Sequence, residues 1–182
     1  MVSGGDIRVG NIIKYNNKLY NVTNTMHVKP GKGGAFNQVT CQGVFHDHKI
    51  ELRLRVEEKV ERVNIFEKNV VCINKNEDSA QFIDTENADD FNIMKDDINF
   101  FDFLIEGMEV FLLTNDDNDK LGIRLPKQVE MVVKETPEGV KGGEKNAILI
   151  NGSVIKVPQY IETGETIVVS LMEDKPSFKS RI

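Results

Sequence analysis

Along most of the chain, apolar and polar residues alternate with a period of two. In Ile50-Glu51-Leu52-Arg53-Leu54-Arg55-Val56 the apolar side chains fall on one face and Glu51, Arg53 and Arg55 on the other, the pattern of a half-buried antiparallel strand. Asn11-Ile12-Ile13-Lys14-Tyr15 and Lys18-Leu19-Tyr20-Asn21-Val22 are a strand pair joined by Asn16-Asn17, because asparagine tolerates the left-handed backbone of a two-residue hairpin turn. Further short strands are predicted at 130–133, 147–150, 153–157 and 166–169, punctuated by Gly, Asn and Pro. Short strands at such spacing predict small barrels or sandwiches. One segment departs from this pattern. Residues 96–105 open on Asp96-Asp97 and end at Glu106-Gly107, which predicts a helix of about three turns, short enough to plug the end of a barrel.

An internal echo helps to divide the chain. Ile105-Glu106-Gly107-Met108-Glu109 precedes an apolar run and then Asn115-Asp116-Asp117-Asn118; Ile161-Glu162-Thr163-Gly164-Glu165 precedes another and then Glu173-Asp174-Lys175-Pro176. Two similar units are expected, hinged at Leu125-Pro126-Lys127, where proline removes a ladder donor. Charge suggests another cut near residue 60. Residues 1–60 carry 9 basic against 5 acidic side chains, residues 61–126 carry 6 against 16, and residues 127–182 carry 8 against 8. The overall charge of −6 therefore conceals a basic first third that could meet a polyanion.

Composition narrows the classes. With 40% apolar and 29% charged residues in 182, collagen-like and wholly disordered readings are excluded. No apolar run reaches the roughly 18–20 residues of a membrane span, and Met1-Val2-Ser3-Gly4-Gly5-Asp6 has neither the basic nor the apolar part of a secretory signal. Two cysteines make no disulfide framework, so a cytoplasmic compartment is expected.

The chemistry concentrates in Val28-Lys29-Pro30-Gly31-Lys32-Gly33-Gly34-Ala35-Phe36, between two strand-like runs. Glycine and proline there predict a hairpin tip. Lys32, flanked by Gly31 and Gly33, projects into solvent on a backbone that another macromolecule can approach closely. A nucleotide phosphate loop fails on pattern, because no Ser or Thr follows the lysine and no long helix follows the loop. A plain solvated turn and a lysine presented to a partner or to a modifying enzyme both remain. A catalytic amine is disfavoured, since a glycine-flanked tip offers no desolvation to lower its pKa.

Lys29-Pro30-Gly31-Lys32-Gly33-Gly34-Ala35-Phe36 closely resembles the lysine loop of the bacterial elongation factor P family. Ile7-Arg8-Val9-Gly10-Asn11 is similar to that family's opening strand, and Asn151-Gly152, Val157-Pro158 and Gly164-Glu165 are similar to its last domain. The resemblance implies an all-β chain of three small barrels in an L-shaped, tRNA-like arrangement. Residues 1–60 would be an SH3-like, KOW-type domain, 61–126 an acidic OB-fold and 127–182 a second OB-fold. It implies a non-enzymatic, monomeric translation factor, without cofactor, that binds the ribosome beside peptidyl-tRNA and stimulates peptide-bond formation at consecutive prolines. Lys32 would point to the CCA end and be the target of a lysine-modifying enzyme, for example by β-lysylation. Arg8, Lys141 and Gly142 would contact RNA. The competing class is a generic KOW/OB RNA-binding protein with no role at the peptidyl-transferase centre. Two departures stand out. The 139–146 stretch keeps Lys141-Gly142 but lacks the family's Asp-Thr and is shorter, and Phe178 stands where the family has a tyrosine.

Other constellations carry less. His46 and His48 with Cys41 or Cys72 lack the spacing of a zinc site, so the histidines read as solvated loop residues and the cysteines as small core hydrophobes. Asp116-Asp117-Asn118-Asp119 lacks the bidentate glutamate of a calcium loop and reads as a charged turn. The phenylalanines could supply stacking platforms, but Phe101, Phe103 and Phe111 are spaced like core.

Overall fold

The structure is a computed structural model that describes every residue except Asp47, Glu173 and Asp174. The turn predicted over 173–176 therefore falls in part outside the described residues. Strands dominate, in three antiparallel sheets.

The first sheet holds β1 (Val2–Ser3), β2 (Ile12–Tyr15), β3 (Lys18–Val28), β4 (Phe36–Gly43), β5 (Lys49–Arg55) and β6 (Lys59–Val63) in the order β1-β6-β2-β3-β4-β5. Asn16 and Asn17 have φ of 49° and 60°, and Tyr15 pairs Lys18 across them, so the predicted two-residue turn forms. A 3-10 turn, Gly4–Asp6, closes the sheet on itself. Gly4 N donates to Glu58 O at 2.7 Å and Gly5 N to Val56 O at 3.3 Å. Glycine at position 4 is a matter of space, because a Cβ there would lie 2.4 Å from Arg55 O. The core of this sheet, including Ile7, Ile13, Val22, Val39 and Cys41, is its own.

The second sheet holds β7 (Phe66–Lys75), β8 (Ser79–Asp84), β9 (Asp90–Met94), β10 (Glu109–Thr114) and β11 (Lys120–Arg124), ordered β11-β10-β7-β8-β9. The third holds β12 (Gln128–Glu135), β13 (Glu144–Leu149), β14 (Val154–Pro158), β15 (Thr166–Ser170) and β16 (Ser177–Arg181), ordered β14-β13-β12-β15-β16. Counted from its own first strand, each is the same sheet. The first strand is central, the next two lie to one side and the last two to the other, as in an OB-fold.

The sequence echo becomes one turn built twice. Gly107 and Gly164 have φ of 86° and 89°. Gly107 N donates to Cys72 O at 2.6 Å and Gly164 N to Val133 O at 2.8 Å; Cys72 N and Val133 N donate back to Met108 O and Glu165 O. Each first strand then shifts register just beyond that contact, after Cys72 and after Val133. The two sheets bury a joint core that runs from Val70 and Phe82 to Val129, Leu149 and Leu171. Leu125, expected in a hinge, is only 5% exposed within this core, so the Leu125-Pro126-Lys127 connector joins the two sheets rather than freeing them.

The helix predicted over 96–105 does not form. Two 3-10 turns, Lys95–Asp97 and Phe101–Phe103, flank Phe100, whose φ is 58°. Ile98, Phe101, Phe103 and Leu104 are all buried, a set that a helix would spread around its circumference. Lys75 Nζ donates to Phe101 O at 2.8 Å and to Leu104 O at 3.0 Å, tying both carbonyls to β7. The segment still fills the core of the second and third sheets. No helix among the described residues is long and apolar enough to cross a membrane.

Candidate functional site

Lys32 sits at the far end of the longest hairpin. β3 and β4 pair through His27↔Asn37 and Val28↔Phe36, and residues 29–35 form the tip. Lys29, Pro30, Gly31, Lys32, Gly33 and Gly34 are all exposed. Among the described residues the Lys32 side chain has no hydrogen bond or ion pair, so its cation is free for a partner. Gly33 has a φ of 106°, a conformation that L side chains rarely adopt. Gly31 has no such φ, and added Cβ atoms at Gly31, Gly33 and Gly34 would meet nothing within 4 Å. The tip therefore needs glycine conformationally at Gly33, and open space surrounds it.

The root of the hairpin is stiff. Asn37 is only 5% exposed; its Nδ2 donates to Gly4 O at 2.7 Å, and its Oδ1 lies 2.9 Å from His27 Nδ1. One buried amide thus ties β3, β4 and the N-terminal turn together. Phe36, at the mouth, lies under the Arg53 guanidinium, 3.8 Å from ring centroid to Cζ, a cation–π contact. Arg55 pairs directly with Phe36 in the ladder. Together Lys32, Phe36, Arg53 and Arg55 line a groove of about 800 Å³ that Glu57 and Glu58 also line. It offers an exposed cation, a flat aromatic–guanidinium stack and a second arginine, a set suited to a phosphate-bearing chain with exposed bases.

The remaining sequence-predicted residues lie elsewhere. Arg8 is exposed, but its Nη1 donates to Gly5 O at 3.0 Å and Ile7 O at 2.9 Å, so part of its guanidinium pins its own loop. Lys141 and Gly142 lie in the tip between β12 and β13 of the third sheet. There Gly142 and Gly143 have φ of 84° and 75°, and Val140 N donates to Gln159 Oε1 at 3.0 Å. The nearby Lys145 is buried and donates to Pro137 O at 2.7 Å, leaving Lys141 as the exposed cation of that tip. Cys41 and Cys72 are buried, as expected, and burial pushes the Cys41 thiol up to about 11. His48 is exposed, but His46 is not the solvated residue expected: it is half-buried, with its ring edge-on to Tyr20 at 5.2 Å. Among the described residues no group of three or more His, Cys, Asp or Glu side chains could hold a metal ion.

The sequence reading overlooked Asn37, His27, Arg53 and Arg55 as site residues. Asn37 shares its strand phase with Val39 and Cys41, so a polar residue in a buried phase was the available signal. Arg53 and Arg55 were placed on the polar face, but only the β4–β5 register aligns them with Phe36.

Residues 3–60 match the family described as the Elongation factor P (EF-P) KOW-like domain, and residues 129–179 match the one described as Elongation factor P, C-terminal. A protein named Elongation factor P from Moorella thermoacetica is 36% identical over 173 residues, covering 92% of this chain and 93% of that one. Another of the same name, from Parvibaculum lavamentivorans, is 36% identical over 178 residues, covering 94% and 95%. Among solved structures, a eukaryotic translation initiation factor 5A from Methanococcus jannaschii is 23% identical and covers 63% of this chain and 85% of that one, with a TM-score of 0.49.

Proposed function

The chain belongs to the elongation factor P family of translation factors, and from that premise we propose that it acts on the ribosome by presenting Lys32 to the CCA end of peptidyl-tRNA. The observation that carries this reading is an unpartnered lysine at the tip of a hairpin whose root is braced. Translation elongation is the family's business, and no acid–base step is required of the protein itself.

The reaction helped is peptide-bond formation at consecutive prolines. Proline's ring fixes φ and restricts how the peptidyl chain and the attacking nitrogen align. Holding the tRNA end in a reactive pose is enough to help, since effects of positioning reach roughly 7–11 kcal/mol in model systems, and about 1.4 kcal/mol already gives a tenfold rate change. A cation on a slim glycine loop can approach phosphate without filling the site. Lys32, exposed at the tip, is equally open to an enzyme that encloses and extends it. The basic first third, residues 1–60, would face tRNA and rRNA, with 61–126 as the acidic unit and 127–182 as the last. Lys141 and Gly142, on the shortened tip, would touch phosphate without reading a codon. The working compartment would be the cytoplasm, where ribosomes are.

The experiment is tripeptide synthesis on ribosomes with and without the protein, with Lys32 unmodified, modified or replaced by Ala. Synthesis through Pro-Pro-Pro should accelerate while Phe-Phe formation stays unchanged, and Lys32→Ala should remove the acceleration while shifting stability by no more than about 0.5 kcal/mol. Equal stimulation of every sequence, or full activity of Lys32→Ala, refutes the reading and leaves a general RNA-binding role.

A further inference from the structure

We propose that Phe45 is a positioning residue: seated on Gly122, it locks the lysine-bearing first sheet onto the second and so fixes where Lys32 is held. The positioning half rests on the role given to Lys32 above; the lock itself does not.

Phe45 follows β4 in the loop that leads to β5. Hairpin loops run over the surface, yet Phe45 is only 7% exposed and is not part of the first sheet's core. Its partner is in the second sheet. A Cβ built at Gly122 would lie 2.6 Å from the Phe45 ring and 2.4 Å from Asp97 O. Gly122 is inside β11 and does not have a left-handed φ, so glycine is needed there for room and not for conformation. Glycine inside a strand commonly marks such a close approach.

The seat is rigid. The 3-10 turn Lys95–Asp97 supplies Asp97 O, and the adjacent Ile98 bridges to Ile123, next to Gly122. Asn64, in the short linker from β6 to β7, donates Nδ2 to Asp116 Oδ2 at 3.0 Å and so anchors that linker to the β10–β11 turn of the second sheet. Beside the lock lies a cleft of about 1010 Å³, lined from all three sheets by residues such as Lys14, Phe100, Leu121 and Val154. That open space is where the first sheet could swing if the ring were not seated. The second and third sheets share a core, so the lock sets the direction of the lysine hairpin against a single body. Misplacement by ~1 Å at a reacting centre can lower a rate about a hundredfold, so this fixed direction matters for a factor that acts by placement.

The test uses the full-length protein with spin labels on cysteines introduced by Asn24→Cys in the first sheet and Glu77→Cys in the second, both at exposed positions. The native Cys41 and Cys72 are buried and should not label at neutral pH. The parent should give one narrow distance distribution. Phe45→Ala and Gly122→Ala, which attack the lock from opposite sides and leave the first sheet's own core intact, should each broaden it. In tripeptide synthesis both should lower the saturating Pro-Pro-Pro rate by roughly tenfold or more, within the range that misplacement produces, with little change in ribosome affinity. Unchanged narrow distributions in both variants overturn the lock. Broadened distributions with a full saturating rate overturn the positioning role. Full activity of Lys32→Ala would instead overturn the reading of Lys32, and the distance distributions then decide the lock alone.

Discussion

Replacing Asn37 by Ala should loosen the lysine hairpin at its root. The substitution removes two contacts, the 2.7 Å bond to Gly4 O and the 2.9 Å contact with His27 Nδ1. His27 is exposed, so water replaces its partner at small cost. Gly4 is buried, and its carbonyl loses its side-chain donor. Stranding a buried acceptor costs about 1–3 kcal/mol, and that is the expected loss. Native-state hydrogen exchange at Val39 and Cys41, flanking core residues on the same strand, reads this directly. The loss corresponds to an acceleration of roughly fivefold to about 150-fold. Gln38→Ala, one residue along on the outer face and bonded only at 3.4 Å to Glu51, should change exchange little, within about 0.5 kcal/mol. If Asn37→Ala behaves like Gln38→Ala, the brace contributes nothing and the hairpin is stiff for another reason.

Gly33→Ala places a side chain at a φ of 106°, a strain of about 1–2 kcal/mol that the unpacked tip relieves by rebending. The unfolding midpoint should hold while Pro-Pro-Pro stimulation falls, and Gly31→Ala, whose φ is not left-handed, should keep both. Asp84 is buried, accepts a charged hydrogen bond from Lys68 and accepts another from Glu86 N at 2.9 Å. The Lys68 ammonium holds its carboxyl below the ordinary 3.8. Its contribution is therefore complete above that value and disappears as pH falls through the lowered one. Acid titration followed by circular dichroism should show that Asp84→Asn removes a stability loss below about pH 4; an unchanged acid profile would rule out this pair as its source.

The regular part of the fold was legible because alternation reports directly which side chains face inward. Residues 50–56 and the Asn16-Asn17 turn needed only local rules. The five-residue echo around Gly107 and Gly164 proved to be one hydrogen-bonded turn used twice. Residues 96–105 were misread because acidic opening residues and a closing glycine suit a helix, whereas burial of Ile98, Phe101, Phe103 and Leu104 and capture of two carbonyls by Lys75 are tertiary facts. His46 was misplaced for the same reason, since the Tyr20 ring that covers it is distant in sequence. Of the site, Lys32 and its glycines were legible as a motif. The Arg53–Phe36 stack depends on register, and the seating of Phe45 on Gly122 depends on how two sheets meet, which no local pattern encodes.

The separate core of the first sheet also has a consequence for the chain's own synthesis. Every strand of that sheet, and every buried residue of its core, lies before residue 64. It can therefore complete itself as soon as this stretch leaves the ribosomal tunnel, in keeping with the N-terminal-first folding of growing chains. The second sheet cannot do the same. Residues 66–124 hold all of its strands, but its buried side chains form one cluster with those of the third sheet, among them Val129, Met131 and Leu149, which have yet to emerge. Nascent chains stalled at increasing lengths should show two folding steps, an early one after residue 63 and a single late one near the C-terminus. A distinct middle step would mean that the second sheet does not need the cover of the third.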